Sequence, residues 1–314
     1  MTATGTLSGA LLLDKPPGPT SHDIVAFVRR TLKTSRAGHT GTLDPLATGL
    51  LVVLVGHATR LAQFLVADEK EYVADVRLGI ATPTYDAASL ADAVRCPMAD
   101  GRWPMDVELE AVLSEFRGSF LQMPPSYSAK KVAGVAAHEK ARKNQPVDLK
   151  PVPVTVRELE VLDPSDIGRR SSAIDPGGLL RLRVAASSGF YVRSLAHDIG
   201  QRLGCGAHLE ALRRTRVGRF RVEEACTLDV LEAAGSGAPC VRSMNSLLSE
   251  LPEVRLTEEG LRRAGHGNSL GPQHLAGRLP ERPGRVRVLD DGGELLAVAD
   301  CRPDGLLHPL LVLR

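Results

Sequence analysis

The eleven residues HTGTLDPLATG at positions 39–49 constrain the fold most, because the apolar run LLVVLV follows directly at 50–55. A short apolar run bounded by turn residues predicts a buried strand. Asp44 precedes a proline, which disfavours helical backbone, so Asp44 is expected to lie extended at a bend. Gly41 and Gly49 permit tight turns on either side. The sequence thus predicts a rigid loop that holds one carboxylate at a sheet edge.

The Asp44 carboxylate has two interpretations. An aspartate before proline often forms a turn and nothing more. A carboxylate nucleophile also needs rigid placement, because its attack depends on position more than on basicity. The loop taken alone leaves both interpretations open.

The patterns elsewhere predict an α+β chain. Thr20 and Asp23 have the spacing of a capping box, which predicts a helix behind them. Apolar periodicities predict strands at 7–14, 71–80, 152–162 and 179–187, and helices at 106–117, at 132–143 and after Gly189. Short strands with a hairpin signal at 291–293 follow residue 250. We therefore predict two domains, 1–248 and 249–314, of which the second is small and β-rich.

The formal net charge of +2 conceals separate basic and acidic blocks. Residues 181–221 hold nine basic and two acidic residues, residues 127–157 hold seven and two, and residues 1–60 hold six and three. Residues 68–119 and 222–260 are acidic instead. If the basic blocks converge, they form a positive surface suited to a phosphate backbone, whereas ordinary solvated charge is the alternative.

Other features exclude several classes of protein. The longest apolar run has six residues, which is too short for a membrane span, and the chain opens without the pattern of a secretory signal. The five cysteines form no CxxC pair, and their spacing fits neither a zinc site nor a disulfide framework. These features predict a reduced, cytoplasmic protein without a metal site.

Other residues are also candidates for a site. Tyr72 is predicted on the inward face of its strand, where core packing is the ordinary role. Arg193 is predicted near the start of a helix, where a cation gains nothing from the helix dipole, so an anionic partner is expected. His39 could stack on a base or simply be solvated. LRRTRVGRF at 212–220 is typical of a phosphate-contacting segment or of a solvated helix end.

Five segments resemble, in order, the motifs of one known family. They are LLLDKPPGPTS, AGHTGTLDPLATGLL, KEYVADVRLG, MPPSYSAKKVAG and SSGFYVRSLAHDIGQRLGCGAHLEALRRTRVG. Because several separated motifs recur in the same order, the chain is similar to the bacterial tRNA pseudouridine synthase B (TruB) family over about residues 7–232.

The resemblance implies a fold and an activity. The fold would be that of pseudouridine synthases, a mixed and mainly antiparallel sheet flanked by helices, followed by a small all-β, PUA-like RNA-binding domain. The activity would be isomerisation of uridine to pseudouridine at position 55 of the tRNA T-loop, with the target base flipped out. The resemblance implies no cofactor, no metal, no membrane association and no required protein partner, and we expect a monomer.

The resemblance also implies roles for individual residues. Asp44 would be the nucleophile, Tyr72 would stack against the target base, and Arg193 would pair with Asp44 and keep it ionised. Four residues would bind the substrate: His39, Tyr191, Leu212 and Lys130. Four would brace the catalytic loop: Lys15, Pro16, Gly41 and Pro45.

One segment departs from the family pattern Asp-Thr-x-Asp-Ala-x-Gly. Here it reads TPTYDAAS at 82–89, where Pro83 and Ser89 stand in place of an acid and a glycine, while Asp86 is kept. We therefore expect a reshaped loop with catalysis retained.

Three other functions remain as alternatives. A guide-RNA-dependent, dyskerin-like synthase shares the Asp loop but usually carries long lysine-rich extensions, which this sequence lacks. A tRNA-folding chaperone with little catalysis is disfavoured by the presence of Asp44, Tyr72 and Arg193. An aspartate-nucleophile hydrolase would need a second acid or a metal cluster, and neither is evident.

Overall fold

The computed structural model describes residues 7–66, 68–96, 102–104, 106–128, 130–132, 135–137, 148–162, 174, 178–279, 283–290 and 292–313. The helices with described bounds are α1 (Ser21–Thr31), α2 (Ala62–Leu65), α3 (Asp106–Ser114), α4 (Val192–Arg202), α5 (Leu228–Ala234) and α6 (Glu258–Gly265). The first nine strands are β1 (Gly9–Lys15), β2 (Ala37–His39), β3 (Thr48–Val55), β4 (Lys70–Leu78), β5 (Ile80–Ala81), β6 (Val94–Arg95), β7 (Gly118–Gln122), β8 (Lys131–Val132) and β9 (Val135–Ala136). The other nine are β10 (Val152–Val161), β11 (Leu179–Ala186), β12 (Ala207–Val217), β13 (Phe220–Arg221), β14 (Val241–Ser243), β15 (Glu253–Arg255), β16 (Gly284–Leu289), β17 (Leu295–Cys301) and β18 (Leu307–Val312).

Ten of these strands form the main sheet. Their order is β14-β1-β3-β12-β4-β11-β10-β7, with β2 paired to β3 and β13 paired to β12. The pair β3 and β12 is parallel, and the other pairs in this sheet are antiparallel. The run LLVVLV lies in β3, where each of its residues is at most 2% exposed. The predicted mixed, mainly antiparallel sheet and its buried strand are confirmed.

Helix α1 begins where the capping box predicts. The Thr20 hydroxyl accepts a hydrogen bond from the Asp23 amide (3.1 Å), and the Asp23 carboxylate accepts one from the Thr20 amide (2.8 Å). Ile24, Val25 and Val28 are buried on the inner face of the helix. The Ser21 hydroxyl donates to the Leu43 carbonyl (3.1 Å) and accepts from the Leu43 amide (2.8 Å), so the N-terminus of α1 is fixed beside the 39–49 loop.

The prediction of a helix at 132–143 is wrong for the described residues that precede Ala137. Residues 131–132 and 135–136 form the β8–β9 hairpin and Ala137 is helical, while residues 138–143 lie outside the described residues. In the described ranges, no helix has the length and apolar character needed to cross a membrane.

The C-terminal region contains a second sheet, ordered β15-β16-β17-β18. Strands β16 and β17 form the predicted hairpin, and Gly293 in its turn has a φ of +80°. One helix, α6, accompanies this sheet. The predicted small β-rich C-terminal region is therefore present. Leu289, Leu295 and Val298 pack into the main core, and the division at 248/249 stays a prediction.

Candidate active site

Three neighbouring strands bring the predicted site residues to one level of the main sheet. In β12, Arg214 pairs with Gly49 of β3 on one side and with Tyr72 of β4 on the other. Leu212 lies two residues before Arg214, so both side chains point to the same face. Because the Asp44 loop leads directly into β3, this register brings the loop, Tyr72 and Leu212 together.

A cavity of about 370 Å³ opens at this point. Its lining is Thr42, Leu43, Asp44, Tyr72, Lys130, Phe190, Tyr191, Val192, Arg193 and Leu212. The lining includes all three predicted catalytic residues and three of the four predicted substrate-binding residues. The volume is within the range of pockets that hold small organic groups.

Lys15 lies beneath the loop and forms hydrogen bonds with its backbone. Its side chain is fully buried, and Nζ donates hydrogen bonds to the carbonyl oxygens of Pro16 (2.9 Å), Pro45 (3.2 Å) and Ala47 (2.7 Å). Burial lowers the pKa of Lys15 to about 8, and the Asp44 carboxylate opposes this change. One buried amine therefore holds the part of the loop that follows Asp44 and ties it to the segment after β1.

Glycine is required at one end of the loop. Gly49 has a φ of +95°, and a Cβ atom there would lie 2.3 Å from the Arg214 carbonyl oxygen. Gly41 lacks a positive φ, and a Cβ there would meet Arg214 only at ordinary contact distance, 3.5 Å. The expectation that Gly41 needs glycine's conformational freedom is not met; its carbonyl instead accepts a hydrogen bond from Arg214 (3.1 Å).

Asp44 and Arg193 form a bidentate ion pair at the cavity. Arg193 Nε lies 2.9 Å from Asp44 Oδ2, and Nη2 lies 3.3 Å from Oδ1. Arg193 is in the first turn of α4, where we expected an anionic partner. Arg193 is almost completely buried, whereas the Asp44 side chain is 35% exposed. The carboxylate is thus held from behind and remains accessible from the cavity.

The protonation of Asp44 reflects opposing effects. Burial raises the pKa of the Asp44 carboxyl above its usual value, the Arg193 charge opposes that rise, and the neighbouring Asp86 carboxylate adds to it. The charge of Lys15 also lowers this pKa, by a smaller effect. The Arg193 charge therefore favours the ionised form of Asp44, but it does not cancel the cost of burial.

Asp86 is the second acid beside Arg193, and it lies in the segment that departs from the family pattern. Its Oδ2 is 3.5 Å from Arg193 Nη1, and the Thr84 carbonyl accepts a hydrogen bond from the same nitrogen (3.2 Å). The Thr84 hydroxyl donates to Asp86 Oδ1 (2.6 Å) and is 2.7 Å from the Ser89 hydroxyl. Ser89 therefore takes part in the loop's hydrogen bonds, which keep Asp86 buried against Arg193.

Gln122 is a site-supporting residue that the sequence analysis missed. Its side chain is 1% exposed and forms two hydrogen bonds with the backbone of Tyr191, donating to its carbonyl (3.0 Å) and accepting from its amide (2.8 Å). Tyr191 precedes α4, so this pairing fixes the start of the helix that carries Arg193. The only signal in the sequence is the position of Gln122 beside MPPSYSAKK, which by itself names no partner.

Lys130 and His39 have different relations to the cavity. Lys130 lines it, and its Nζ donates to the Lys150 carbonyl (3.4 Å). His39 is not among the lining residues; it ends β2, and its ring meets the His22 ring edge-on at 5.5 Å. Burial lowers the pKa of His39, and its buried Nδ1 has no hydrogen-bond partner within the described ranges.

Most arginines of the basic block at 181–221 form ion pairs with acidic residues of the same chain. Six of its arginines pair with acids, some of them from the acidic block at 68–119: Arg181–Asp75, Arg183–Glu160, Arg193–Asp44, Arg202–Glu115, Arg213–Asp14 and Arg216–Glu69. LRRTRVGRF lies mainly in β12 and not at a helix end, and its Arg214 is 1% exposed. The interpretation of this segment as a run of phosphate contacts is therefore wrong for Arg214.

In the part of the chain that the structure describes, no group of three or more His, Cys, Asp or Glu side chains is arranged to hold a metal ion. The cavity instead presents one accessible carboxylate, one buried guanidinium, an amine and aromatic rings. This set of groups places an accessible carboxylate beside aromatic and apolar surfaces that a planar ring can contact.

Solved structures share this fold. A chain in an H/ACA RNP bound to a substrate RNA containing 2'-deoxyuridine has a TM-score of 0.70 and 27% identity, covering 98% of this chain and 85% of that chain. A chain in a Cbf5-Nop10-Gar1 complex has a TM-score of 0.71 and the same identity and coverage. Together with the site, these matches place the protein in the pseudouridine synthase fold class.

Family models narrow this class. The model described as TruB family pseudouridylate synthase (N terminal domain) matches residues 29–192, and that of the tRNA pseudouridylate synthase B C-terminal domain matches residues 193–247. The chain belongs to the TruB family of pseudouridylate synthases. Its relatives include proteins named tRNA pseudouridine synthase B from Solibacter usitatus, 40% identical over 98% of this chain and 100% of the relative, and from Aquifex aeolicus, 42% identical over 80% and 82%.

Proposed function

We propose that this protein isomerises uridine to pseudouridine at position 55 of the tRNA T-loop, with Asp44 as the nucleophile. The observation that carries the proposal is the Asp44–Arg193 ion pair, whose carboxylate faces a cavity lined by Tyr72, Tyr191 and Leu212. The relatives named tRNA pseudouridine synthase B support tRNA as the substrate. Position 55 follows from the sequence resemblance.

The reaction is an internal transfer that needs no other reactant. The target base leaves the T-loop stack and enters the cavity. The Asp44 carboxylate attacks either the uracil ring or the ribose anomeric carbon, and the bond between ring N1 and ribose C1′ breaks. The uracil turns while it is trapped between the cavity walls, C5 bonds to C1′, and the bond to the Asp44 carboxylate breaks. The hydrogen on C5 leaves as a proton, and ring N1 takes up a proton.

The cavity residues have distinct parts in this proposal. Tyr72 stacks against the uracil, and Leu212 forms part of the apolar wall that confines the ring. Arg193 orients the carboxylate through one hydrogen bond and a second ion-pair contact, and it favours the ionised form. Lys130 offers a cation to the RNA backbone at the cavity edge. His39 lies outside the lining, so we assign it to a base of the T-loop other than the flipped one.

We propose that the protein acts as a cytoplasmic monomer without a required protein partner. All five cysteines are free thiols, four of them buried, which is the usual state in a reducing compartment. Light scattering of the purified protein on a sizing column tests the monomer: a mass near 33.6 kDa is expected.

Guide-RNA-dependent modification is the second candidate function. The observation in its favour is that the solved structures sharing the fold include chains of an H/ACA RNP and of a Cbf5-Nop10-Gar1 complex. Against it, relatives that match nearly the whole chain at about 40% identity are named as tRNA enzymes. A chaperone that folds tRNA with little catalysis is the third candidate, and the same experiment separates all three.

The experiment measures tritium release from tRNA transcripts that contain uridine labelled at C5, because pseudouridine formation expels that hydrogen. The purified protein is given the transcript alone, and a transcript with cytidine at position 55 reports the site of modification. Asp44→Asn tests the nucleophile. Asp229→Asn is the matched control, because Asp229 is an exposed aspartate in the first turn of α5.

We expect one equivalent of tritium from the transcript with uridine 55 and none from the cytidine transcript. Asp44→Asn should abolish release while tRNA affinity stays within about threefold of wild type, since the substitution changes the reacting group and little of the bound surface. If the transcript alone gives no release, turnover restored by added guide RNA would support the second candidate, and tRNA binding without release would support the third. Release that survives Asp44→Asn would contradict the proposed nucleophile.

A further inference from the structure

Arg214 is a buried cation that the proposed reaction does not use. It is 1% exposed, and its guanidinium donates to three backbone carbonyls: Nε to Leu50 (2.7 Å), Nη1 to Thr42 (3.3 Å) and Nη2 to Gly41 (3.1 Å). The Tyr72 hydroxyl also interacts with this guanidinium. Within the described ranges Arg214 forms no ion pair, so backbone and phenol dipoles alone balance its charge.

Burying a charge in this way is unfavourable. Burial lowers the pKa of Arg214 from its ordinary value, and the interaction with Tyr72 opposes that change. Removing a charge from water destabilises the fold unless its partners compensate, and an apolar side chain of similar size often stabilises such a site better. Stability of the sheet alone therefore does not account for an arginine at this position.

The partners of Arg214 share one feature, which is their relation to Asp44. Gly41 and Thr42 precede Asp44 within the loop, and Leu50 follows the loop's last residue. The same planar group thus holds the backbone on both sides of Asp44. Tyr72, its fourth partner, is on the neighbouring strand β4 at the same register as Arg214.

We infer that Arg214 is a positioning residue that fixes the Asp44 loop and the Tyr72 hydroxyl relative to each other. This inference rests on the proposed function, because it concerns the geometry of the same reaction. The guanidinium suits the task because its five N–H donors form a rigid planar fork. A lysine has the same charge but a rotating ammonium without that fork, so it cannot hold these four groups at once.

The orientation of Tyr72 follows from this arrangement. The Arg214 cation attracts the phenol oxygen and repels the hydroxyl hydrogen, so the hydrogen is favoured to point away from the guanidinium. The Tyr72 hydrogen is therefore available to the cavity, where the sugar and base of the target nucleotide would lie. Arg214 itself touches no substrate, because its side chain is sealed beneath the loop.

Arg213 provides a matched control on the same strand. Its side chain is on the other face of β12, is 42% exposed and forms a bidentate ion pair with Asp14 at 2.7 and 3.0 Å. Exchange of Arg213 for lysine keeps the charge and changes a partly exposed pair. Arg213→Lys and Arg214→Lys therefore make the same chemical change at two sites that differ in burial and in hydrogen-bond partners.

The test compares wild type, Arg213→Lys, Arg214→Lys and Arg214→Met in four measurements. These are the melting temperature, the equilibrium Kd for tRNA, the single-turnover rate constant for tritium release, and that rate constant in a Tyr72→Phe background. The last measurement is a double-mutant cycle, which detects coupling between two residues in contact. Arg214→Met shows whether the sheet folds without the charge, and Arg214→Lys remains informative if Arg214→Met does not fold.

We expect Arg214→Lys to lower the single-turnover rate constant by about 100-fold, the scale of a 1 Å misplacement of reacting groups. Its Kd for tRNA should stay within about threefold of wild type, and Arg213→Lys should stay within about twofold in both quantities. In the Tyr72→Phe background the loss caused by Arg214→Lys should be at least about fivefold smaller, because one shared contact is already absent.

Three results would overturn the inference. One is an Arg214→Lys rate near that of wild type with only the melting temperature lowered, which indicates a structural role. Another is a loss of rate matched by an equal loss of tRNA affinity. The third is full additivity with Tyr72→Phe. These results differ from a failure of the proposed function. If wild type itself releases no tritium from tRNA, the proposed function fails. If wild type is active and Arg214→Lys is unaffected, only the inference about Arg214 fails.

Discussion

Replacement of Arg193 by methionine tests the ion pair that defines the site. Methionine has a similar length and no charge, so the substitution leaves the Asp44 and Asp86 carboxylates close together without the cation between them. It also leaves the Thr84 and Tyr127 carbonyls without the donors they have at 3.2 and 3.0 Å. Both the ionisation and the orientation of Asp44 should change.

The size of the effect follows from the contacts. Removing one partner of a buried ion pair costs about 3–5 kcal/mol. If about 3 kcal/mol of that loss appears in the transition state, the rate constant falls by about 150-fold, because each 1.36 kcal/mol is a factor of ten. Loss of the cation also raises the pKa of Asp44 further, so the residual rate should increase with pH over a range in which the wild-type rate is constant.

The assay is single-turnover tritium release from tRNA at several pH values, with tRNA affinity measured separately. Arg202→Met is the matched control, since Arg202 ends the same helix and pairs with Glu115 at 3.0 Å, with both side chains about half exposed. An exposed pair contributes at most about 1 kcal/mol, so this variant should keep nearly the wild-type rate. A rate for Arg193→Met within about threefold of wild type would refute the reasoning, as would equal losses of rate and tRNA affinity.

Three further predictions concern the loop. Gly49→Ala should lower the free energy of unfolding, measured by urea titration, by about 2 kcal/mol or more, since its Cβ would lie 2.3 Å from a backbone oxygen. Gly237 has open space around it, so Gly237→Ala should leave the free energy of unfolding nearly unchanged in the same titration. In the folded protein the pKa of Lys15 is lowered to about 8. Above that pH the unfolded chain therefore binds more protons than the folded protein does. The difference in unfolding free energy between wild type and Lys15→Met should therefore shift in favour of wild type as the pH rises from 8 to the ordinary lysine pKa. A difference that does not change with pH would contradict this prediction. Asp44→Asn should raise the melting temperature at pH 7, because burial raises the pKa of the Asp44 carboxyl and ionising that carboxyl destabilises the fold. The increase in melting temperature should disappear as the pH falls to the ordinary pKa range of a carboxyl group. An equal increase at all pH values would refute this cause.

Local patterns were sufficient for the elements around the site. The capping box of α1 is formed by Thr20 and Asp23, and the run LLVVLV is the buried part of β3. Both depend on interactions between residues near in sequence, or on an apolar composition that excludes water, so a pattern of a few residues specifies them. The same is true of the β16–β17 hairpin with its glycine turn.

Partners distant in sequence could not be predicted in the same way. LRRTRVGRF has the same composition whether its arginines contact phosphate or a protein interior. Arg213 pairs with Asp14, about two hundred residues away, while the adjacent Arg214 lies buried beneath the loop. Alternation along β12 separates these two side chains, and only the pairing of β12 with β3 and β4 determines what each one meets.

The sequence by itself determined that residues 39–49 form a bend held by proline and glycine and followed by a buried strand, because these are local steric and hydrophobic properties. Its family motifs indicated which residues belong to the site. Only the tertiary structure decided how Asp44 is held: by Arg193 from a helix about 150 residues later, by Lys15 beneath the loop, and with Asp86 raising its pKa. Electrostatic interactions depend on distance and burial in space, and the order of residues along the chain specifies neither.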